Sequence, residues 1–302
     1  MTANENFAEV NLRKIDQMPL IKSAFEPYKD LMLILIKGRR YCSLRLVNPV
    51  YESINEGDCY LLLTPLKVFA WLGRHANSVE KARAHDLLDY LKQHRDFGLR
   101  NEVKYFLLDQ DKDDTENDLH AEFRDILSGE IDDYKLVEDV LDDDFYEMNI
   151  IELNRVYRVE NDLLIPLNDY CFRSLSIKIL DPNEVFVFDF GSELYVWNGK
   201  FAEKNKRNMG LQLGQQLCNE IYDMSECIIH PFEPLNEQIK MENASRPNWT
   251  LFGKQNQNVE TLLFKGKFID WPSDFEEIKG NVESTNIINK LPATQRVNRS
   301  KI

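Results

Sequence analysis

The segment GDCYLLLTPLKVFAWLG, residues 57–73, decides the fold prediction because it has a counterpart in the second half of the chain. That counterpart is NEVFVFDFGSELYVWNG, residues 183–199. Trp71 and Trp197 stand at the same place in the two segments, which sets an offset of 126 residues. The same offset pairs other residues of like character: Tyr60 with Phe186, Phe69 with Tyr195, Gly73 with Gly199, and Leu91 with Leu217. A period this long indicates two duplicated globular units, each with its own core.

The first half is predicted to contain a sheet that is covered on both faces. Residues 58–64 and 67–72 are almost continuously apolar, which is typical of buried strands. Before them, residues 31–36 and 41–47 flank the basic turn Lys37-Gly38-Arg39-Arg40 and predict a hairpin. A further strand is predicted at residues 103–108.

Helices are predicted to follow the strands in both halves. The first begins near Asn77 or Ser78, with Glu80 close behind, and its apolar stripe is Ala84, Leu87, Leu88 and Leu91. A shorter helix is predicted over residues 119–127. In the second half, the pattern predicts a strand over 149–159 and a long helix over 202–222.

Length and composition place these elements in two domains with tails. The 302 residues, 43% of them hydrophobic, suffice for two cores. We predict an N-terminal tail at 1–25, repeat 1 at 26–145, repeat 2 at 146–275 and a C-terminal tail at 276–302. The fold class is α+β, with a mixed sheet in each repeat.

Composition also argues against several classes of function. The formal net charge of -14 opposes a broad nucleic-acid interface. The five cysteines are scattered without a Cys-x-x-Cys pair, and no apolar run is long enough to span a membrane. These two features predict a cytoplasmic protein. No nucleophile elbow, metalloprotease motif or phosphate loop occurs, so we also predict that the protein is not an enzyme.

Several motifs resemble those of the gelsolin/villin superfamily and, within it, the supervillin branch. They are GDCYLLLTP from Gly57, WLG from Trp71, SVEKARA from Ser78, FVFDFGSELYVWNGK from Phe186, RPNWTLFG from Arg246, IKGRRYCSLRLV from Ile36 and ETLLFKGKFIDW from Glu260. The resemblance covers residues 26–275. It implies that each repeat is a mixed sheet of five or six strands between one long and one short helix.

The resemblance also implies a calcium site in repeat 1 alone. Gelsolin repeats commonly hold calcium with a Gly-Asp pair that enters a strand and a glutamate from the long helix, and Gly57, Asp58 and Glu80 match that pattern. Oxygen ligands are those that calcium prefers. The alternative is a turn aspartate and a first-turn glutamate that is favoured by the helix dipole without any metal. Repeat 2 departs from the pattern, because Lys206 replaces the glutamate and should exclude calcium.

Four cations predict a site for an anionic partner at the start of the second long helix. They are Lys200, Lys204, Lys206 and Arg207. Positive charge is unfavourable at the N-terminus of a helix, so an acidic actin surface or a phosphoinositide headgroup would compensate it. The alternative is a solvated helix face.

The functional prediction is a monomeric actin-cytoskeleton protein at the cell cortex, which binds actin filaments or cortical membrane-associated proteins and responds to calcium only through repeat 1. One alternative is a calcium-regulated capping or severing protein of the gelsolin and villin type. Such proteins insert the first long helix into a cleft on actin, but here its outer positions Lys81, Arg83, Asp86, Asp89 and Lys92 are polar. The other alternative is a cortical scaffold without actin binding.

Overall fold

Two five-stranded mixed sheets with helices on their faces make up the described part of the chain, which confirms the α+β fold class. The computed structural model describes residues 29–94, 96–99, 101–112, 118–128, 141–236 and 240–272. Both predicted tails lie outside the described residues. No helix in the described ranges is long and apolar enough to cross a bilayer.

Sheet 1 has the order β2-β1-β3-β4-β5. Its strands are β1 (Met32–Lys37), β2 (Ser43–Val47), β3 (Cys59–Leu63), β4 (Lys67–Leu72) and β5 (Lys104–Asp109). β4 and β5 pair in parallel, and the other three pairings are antiparallel. The four strands β1–β4 are almost wholly buried, as their continuous apolar sequence predicts.

Sheet 2 repeats this arrangement with the order β7-β6-β8-β9-β12. After β6 (Arg155–Glu160), β7 (Leu163–Pro166), β8 (Val185–Asp189) and β9 (Glu193–Asn198), a small ribbon of β10 (Ile221–Tyr222) and β11 (Ala244–Ser245) precedes β12 (Leu251–Asn256). β9 and β12 pair in parallel, and the other pairings are antiparallel. Order and direction therefore match sheet 1 strand for strand.

The aromatic residues that revealed the repeat occupy equivalent places in the two sheets. Tyr60 pairs with Trp71 across β3 and β4, with ring centroids 5.7 Å apart. Phe186 pairs with Trp197 across β8 and β9, with centroids 6.0 Å apart. Aromatic cross-strand pairs of this kind stabilise a sheet, so the duplication preserves a packing unit as well as a sequence pattern.

A close approach of two chain segments explains why both positions of the pair Gly73 and Gly199 are glycine. A Cβ atom at Gly73 would lie 2.4 Å from the carbonyl oxygen of Glu56. At Gly199 it would lie 2.2 Å from the carbonyl oxygen of Pro182, which stands 126 residues after Glu56. Only glycine fits this close approach of two chain segments.

Among the described residues, five α-helices lie against the sheets: α1 (Ser78–His94), α2 (Asp118–Ile126), α3 (Asp143–Ile150), α4 (Lys204–Asn219) and α5 (Leu262–Lys265). The predicted stripe of α1 is buried against sheet 1, while α2 and α3 contribute to the core on its other face. Helix α3 was not predicted. The assignment of residues 149–154 to a strand was wrong, because 149 and 150 lie in α3, residues 151–153 form a 3-10 turn, and β6 begins only at Arg155. The assignment of residues 221 and 222 to the second long helix was also wrong, because they form β10.

The two sheets are joined by a buried polar contact as well as by apolar packing. Lys267 Nζ lies 2.7 Å from Glu193 Oε1, and the same carboxylate oxygen accepts the backbone N–H of Leu46 at 2.8 Å. Lys267 also donates to the carbonyl oxygen of Leu44 at 2.5 Å. Edge strand β2 of sheet 1 is thereby tied to the second half of the molecule.

Candidate metal centre and basic surface

Glu80 lies at the start of α1 within a reciprocal capping arrangement. Asn77 Oδ1 accepts the backbone N–H of Glu80 at 3.0 Å, and Glu80 Oε2 accepts that of Asn77 at 3.1 Å. Pairing of this kind fixes the first turn of a helix. The other carboxylate oxygen of Glu80 accepts the N–H of Gly38 at 2.9 Å. This last bond joins α1 to the turn after β1, and the Glu80 side chain that makes it is fully buried.

Asp58 is fully buried at the entrance to β3. Asn55 holds this segment in place, because its side-chain oxygen accepts the N–H of Gly57 at 2.8 Å and its amide nitrogen donates to Asp58 Oδ2 at 2.7 Å. The same amide nitrogen lies 2.7 Å from the hydroxyl oxygen of Tyr60. Local hydrogen bonds from an asparagine are a common way to fix such a turn.

Asp58 and Glu80 meet a third carboxylate, that of Asp143 at the start of α3. One oxygen from each of the three residues lies within 4.8 Å of the other two. Asp143 Oδ2 accepts from the side chain of Asn77 at 3.0 Å. Three convergent carboxylates supply the oxygen donors that calcium favours.

Lys37, the last residue of β1, places its ammonium group inside this cluster. Its Nζ lies 2.7 Å from Asp58 Oδ1 and 2.7 Å from Asp143 Oδ1, and the side chain is fully buried. The Tyr146 ring centroid lies 5.7 Å from the same nitrogen. Burial by itself would lower the pKa of Lys37, but the two aspartates raise it, so the ammonium stays charged.

The surroundings favour the charged form of Lys37 but disfavour the charged form of Glu80. Burial, followed by the nearby Asp58 carboxylate, raises the pKa of Glu80 to about 8. The N–H of Gly38 and the charge of Lys37 oppose this rise. A cation that entered the cluster would favour the ionised form of Glu80.

The structure thus brings two predicted ligands together and adds two residues that sequence reasoning missed. Gly57, Asp58 and Glu80 were predicted, and Asp58 and Glu80 share the cluster. Asp143 and Lys37 were not predicted, because they reach the site from α3 and from the end of β1. The one available signal was the lysine that ends an otherwise apolar strand, MLILIK.

Repeat 2 has an ion pair at the equivalent position. Glu184 and Lys206 stand 126 residues after Asp58 and Glu80, and their side chains form a salt bridge. The lysine is therefore held by its own repeat, in a place where repeat 1 has a carboxylate.

The predicted basic surface is only partly exposed. Arg207 donates to the carbonyl oxygens of Ala202 at 2.9 Å and Lys200 at 2.8 Å, so it stabilises the loop before α4. Lys206 is engaged with Glu184. The side chains of Lys200 and Lys204 remain exposed, with Lys200 Nζ 5.7 Å from the ring centroid of its neighbour Phe201.

Helix α3 holds the basic turn between β1 and β2. Glu147 Oε1 accepts the backbone N–H groups of Arg39, Arg40 and Tyr41 at 2.5, 2.6 and 3.0 Å. Asp144 approaches the Arg39 guanidinium to 3.5 Å. Three acidic residues of α3, at 143, 144 and 147, therefore face the segment 37–41, which makes α3 a part of the repeat 1 site.

A family model for the gelsolin repeat matches the chain twice, at residues 46–102 and 173–231. Bovine (Bos taurus) supervillin is 38% identical over 274 residues, which are 90% of this chain and 12% of that protein. Protovillin of Dictyostelium discoideum is 28% identical over 286 residues, 92% of this chain and 26% of that protein. The chain spans about an eighth and about a quarter of these two relatives.

Among solved structures, a chain in the crystal structure of the Thorarchaeota 2DGel3/rabbit actin complex is 20% identical in sequence. The match covers 80% of this chain and 100% of that chain, with a TM-score of 0.27. A score of this size carries no conclusion about fold or partner.

Proposed function

Because the chain belongs to the gelsolin superfamily and carries two gelsolin repeats, we propose that it is a non-enzymatic cytoskeletal protein that binds the sides of actin filaments. The observation that carries the proposal is the matched pair of gelsolin-type sheets, joined through a shared core. In this proposal the two repeats, predicted at 26–145 and 146–275, act as one monomeric filament-binding unit in the cytoplasm, at the cell cortex. Helix α3 spans the predicted boundary and packs with repeat 1.

Side-binding is favoured over capping or severing by the outer face of α1. The exposed positions of this helix include Val79 and Ala82 near its start, but those further along are polar, at His85, Asp89 and Lys92, so no apolar stripe runs along its outer face. A helix that inserts into an apolar cleft needs such a stripe on the side away from its own core. A polar surface is sufficient for contact along the side of a filament.

Lys200 and Lys204 are the residues that we propose to meet an acidic partner surface. They are exposed at the start of α4, in a chain whose net charge is -14. Their exposed positive charge would complement an acidic partner surface. A phosphoinositide headgroup or a cortical membrane-associated protein is the second candidate partner, because it would recognise the same two cations.

Calcium is the ligand that we propose for the repeat 1 cluster. Gly57, Asp58 and Glu80 would hold it, with Asp143 as a further carboxylate. The donor set fits the ion by charge and by the type of atom. When bound, calcium would cross-link three segments of repeat 1 and carry out no chemical step.

The test is co-sedimentation of the purified chain with filamentous actin, in calcium and in chelator. We expect the chain to pellet with filaments and no actin to be released into the supernatant. Loss of filaments in calcium would support the severing alternative, whereas no pelleting in either condition would support a scaffold without actin binding.

The basic surface is tested in the same assay with Lys200→Glu/Lys204→Glu. We expect weaker pelleting and a smaller effect of salt, because two exposed cations have been reversed. Lys92→Glu/Lys104→Glu is the matched control, since it reverses two exposed lysines of repeat 1. Arg207 is left intact because it supports the loop before α4. Equal pelleting of both double variants would contradict the assignment of this surface.

A further inference from the structure

The Lys37 ammonium occupies the position that a bound cation would need. It lies 2.7 Å from an oxygen of Asp58 and 2.7 Å from an oxygen of Asp143. Calcium takes oxygen ligands at roughly 2.3–2.6 Å, so an ion bound to these two oxygens would compete directly with the ammonium. Two positive groups cannot share one pair of oxygens at these distances without strong repulsion.

We infer that Lys37 is a tethered competitor of calcium, which closes the repeat 1 cluster when calcium is absent and weakens its affinity for the ion. The inference rests on the calcium part of the proposed function and adds the residue that regulates the site. Calcium has to displace Lys37 from both aspartates before it can bind to them. A freely exchanging solvent cation would offer much less resistance.

Burial makes this displacement costly. The side chains of Lys37 and Asp58 are fully buried, and the displaced ammonium would lose two charge-assisted hydrogen bonds. A buried charge that loses its partner without regaining water is strongly unfavourable. The nearby Tyr146 ring compensates only part of this loss.

The same ammonium joins three separate segments of the chain. Lys37 ends β1, Asp58 precedes β3 and Asp143 begins α3. A bound calcium ion would make a similar cross-link, but only while calcium is present. With Lys37 in place, the attachment of α3 to repeat 1 does not depend on calcium.

Repeat 2 offers an independent instance of the same arrangement. Lys206 pairs with Glu184, although its lysine comes from the long helix and not from the first strand. In both repeats an ammonium group therefore faces the acidic residue that precedes the third strand of the sheet.

The test compares the full chain with Lys37→Met, which keeps a similar length and removes the charge. Calcium binding is measured by calorimetry and unfolding by a thermal scan, each in calcium and in chelator. We expect the variant to bind calcium at least about tenfold more tightly than wild type and to gain more thermal stability from it. Lys81→Met is the matched control. Lys81 lies on α1 and forms a partly exposed ion pair with Asp111, so its removal should leave calcium binding and thermal stability as in wild type.

Hydrogen exchange of α3 supplies a second readout. In chelator, Lys37→Met should lose protection of the amides in 143–150, and calcium should restore it. Equal calcium affinity of wild type and Lys37→Met, including no binding by either, overturns the inference. So does unchanged protection of α3 in chelator.

The wild-type chain keeps the inference testable if Lys37→Met does not fold. A buried, ion-paired ammonium exchanges its protons slowly, and its nitrogen signal can be followed by NMR through a calcium titration. We expect the Lys37 signal to change as calcium binds, and binding that leaves the signal unchanged would overturn the inference. Since none of these measurements contains actin, failure of filament binding and failure of this inference are separate results.

Discussion

At the scale of single residues, buried charges in this protein are held by partners from distant parts of the chain. Arg246 places its guanidinium 2.6 and 3.1 Å from the two carboxylate oxygens of Asp189, and both side chains are at most 5% exposed. The same guanidinium lies 4.8 Å from the Tyr222 ring centroid, and Arg155 lies 4.7 Å from it. Such geometry compensates the loss of hydration that burial imposes.

Removal of one partner should therefore be costly. Arg246→Met leaves Asp189 buried without its cation, and we expect the free energy of unfolding to fall by about 3–5 kcal/mol. Urea unfolding followed by circular dichroism measures this change. Lys240→Met, which removes an exposed pair with Glu242, should leave the midpoint almost unchanged. Equal effects of the two variants would show that burial does not govern the strength of the Asp189 pair.

The thiol of Cys42 illustrates how burial changes reactivity. Burial and the nearby Glu80 raise the pKa of Cys42 to about 12. Only the thiolate is nucleophilic, so at neutral pH this thiol should be alkylated about 1000-fold more slowly than an unperturbed one. Its rate should keep rising about tenfold per pH unit up to pH 10, because the ionised fraction rises in proportion.

Mass spectrometry of the peptide that contains Cys42 gives that rate, and the urea-unfolded chain is the control. In the unfolded chain the rate should bend near the ordinary thiol pKa of about 8.5 and level off about one pH unit above it, where the thiol is almost fully ionised. A native rate that levels off at the same pH would contradict the raised pKa.

The repeat 1 cluster shows which site residues a sequence can predict. Asp58 and Glu80 stand at fixed places relative to Trp71, so a repeat pattern identifies them. Asp143 lies 106 residues after Lys37, beyond the reach of any local pattern. The competition at the cluster is a property of the folded chain, and spacing along the sequence gave no indication of it.

At the scale of elements, close packing sets the sequence of the second long helix. Gly210 and Gly214 are buried where α4 crosses sheet 2. A Cβ atom at Gly210 would lie 2.6 Å from Val185 Cγ1 and 3.3 Å from Val159 Cγ2. Both neighbours are β-branched side chains with little freedom to move. The glycines therefore allow the helix to approach the sheet closely.

Gly210→Ala should destabilise the protein although alanine is the better helix former. The gain in helix propensity is about 1 kcal/mol, and overpacking of a tight core costs about 1–3 kcal/mol, so we expect a net loss of about 1 kcal/mol. Chemical unfolding measures the difference. Asn208→Ala is the control, because this position on the same helix is exposed and should gain slightly in stability. A stabilised Gly210→Ala chain would contradict the close approach.

Helix α3 shows where local patterns fail. Its sequence DDFYEMNI buries only Tyr146 and Ile150, whereas Phe145 and Met148 are exposed. Two apolar residues do not make a helical stripe. The N-terminal signal was present, since Asp142 caps the helix by accepting the N–H of Phe145 at 3.0 Å, but the adjoining run of β-forming residues concealed it. Strands β1–β4, with long apolar runs, were predicted correctly for the opposite reason.

At the scale of the whole molecule, one apolar core runs through both repeats. Leu61 and Ala70 of sheet 1 belong to the same buried cluster as Phe188 and Trp197 of sheet 2. The duplicated sequence predicted two separate cores, and it contained no signal for their union. Contacts such as the one between Lys267 and Leu44, 223 residues apart, depend on how the finished sheets pack together.

A shared core predicts that the two repeats unfold together. Trp71 is buried in sheet 1 and Trp197 in sheet 2, so each reports on its own repeat. With fluorinated tryptophan and urea, we expect the NMR signals of the two residues to lose their native intensity at the same midpoint. Separation of the sheets would expose Leu44, Phe264 and Phe268 to water and would break the hydrogen bonds of Glu193 and Lys267 with the backbone of β2.

Gly210→Ala turns this expectation into a stricter test, because it weakens only the helix that covers sheet 2. If the repeats unfold as one unit, the midpoints of Trp71 and Trp197 should both move to lower urea, and by the same amount. Asn208→Ala again serves as the control. Loss of the native Trp197 signal while Trp71 keeps its own midpoint would mean that the repeats unfold independently. In that case the hydrogen bonds of Glu193 and Lys267 with β2 do not couple them.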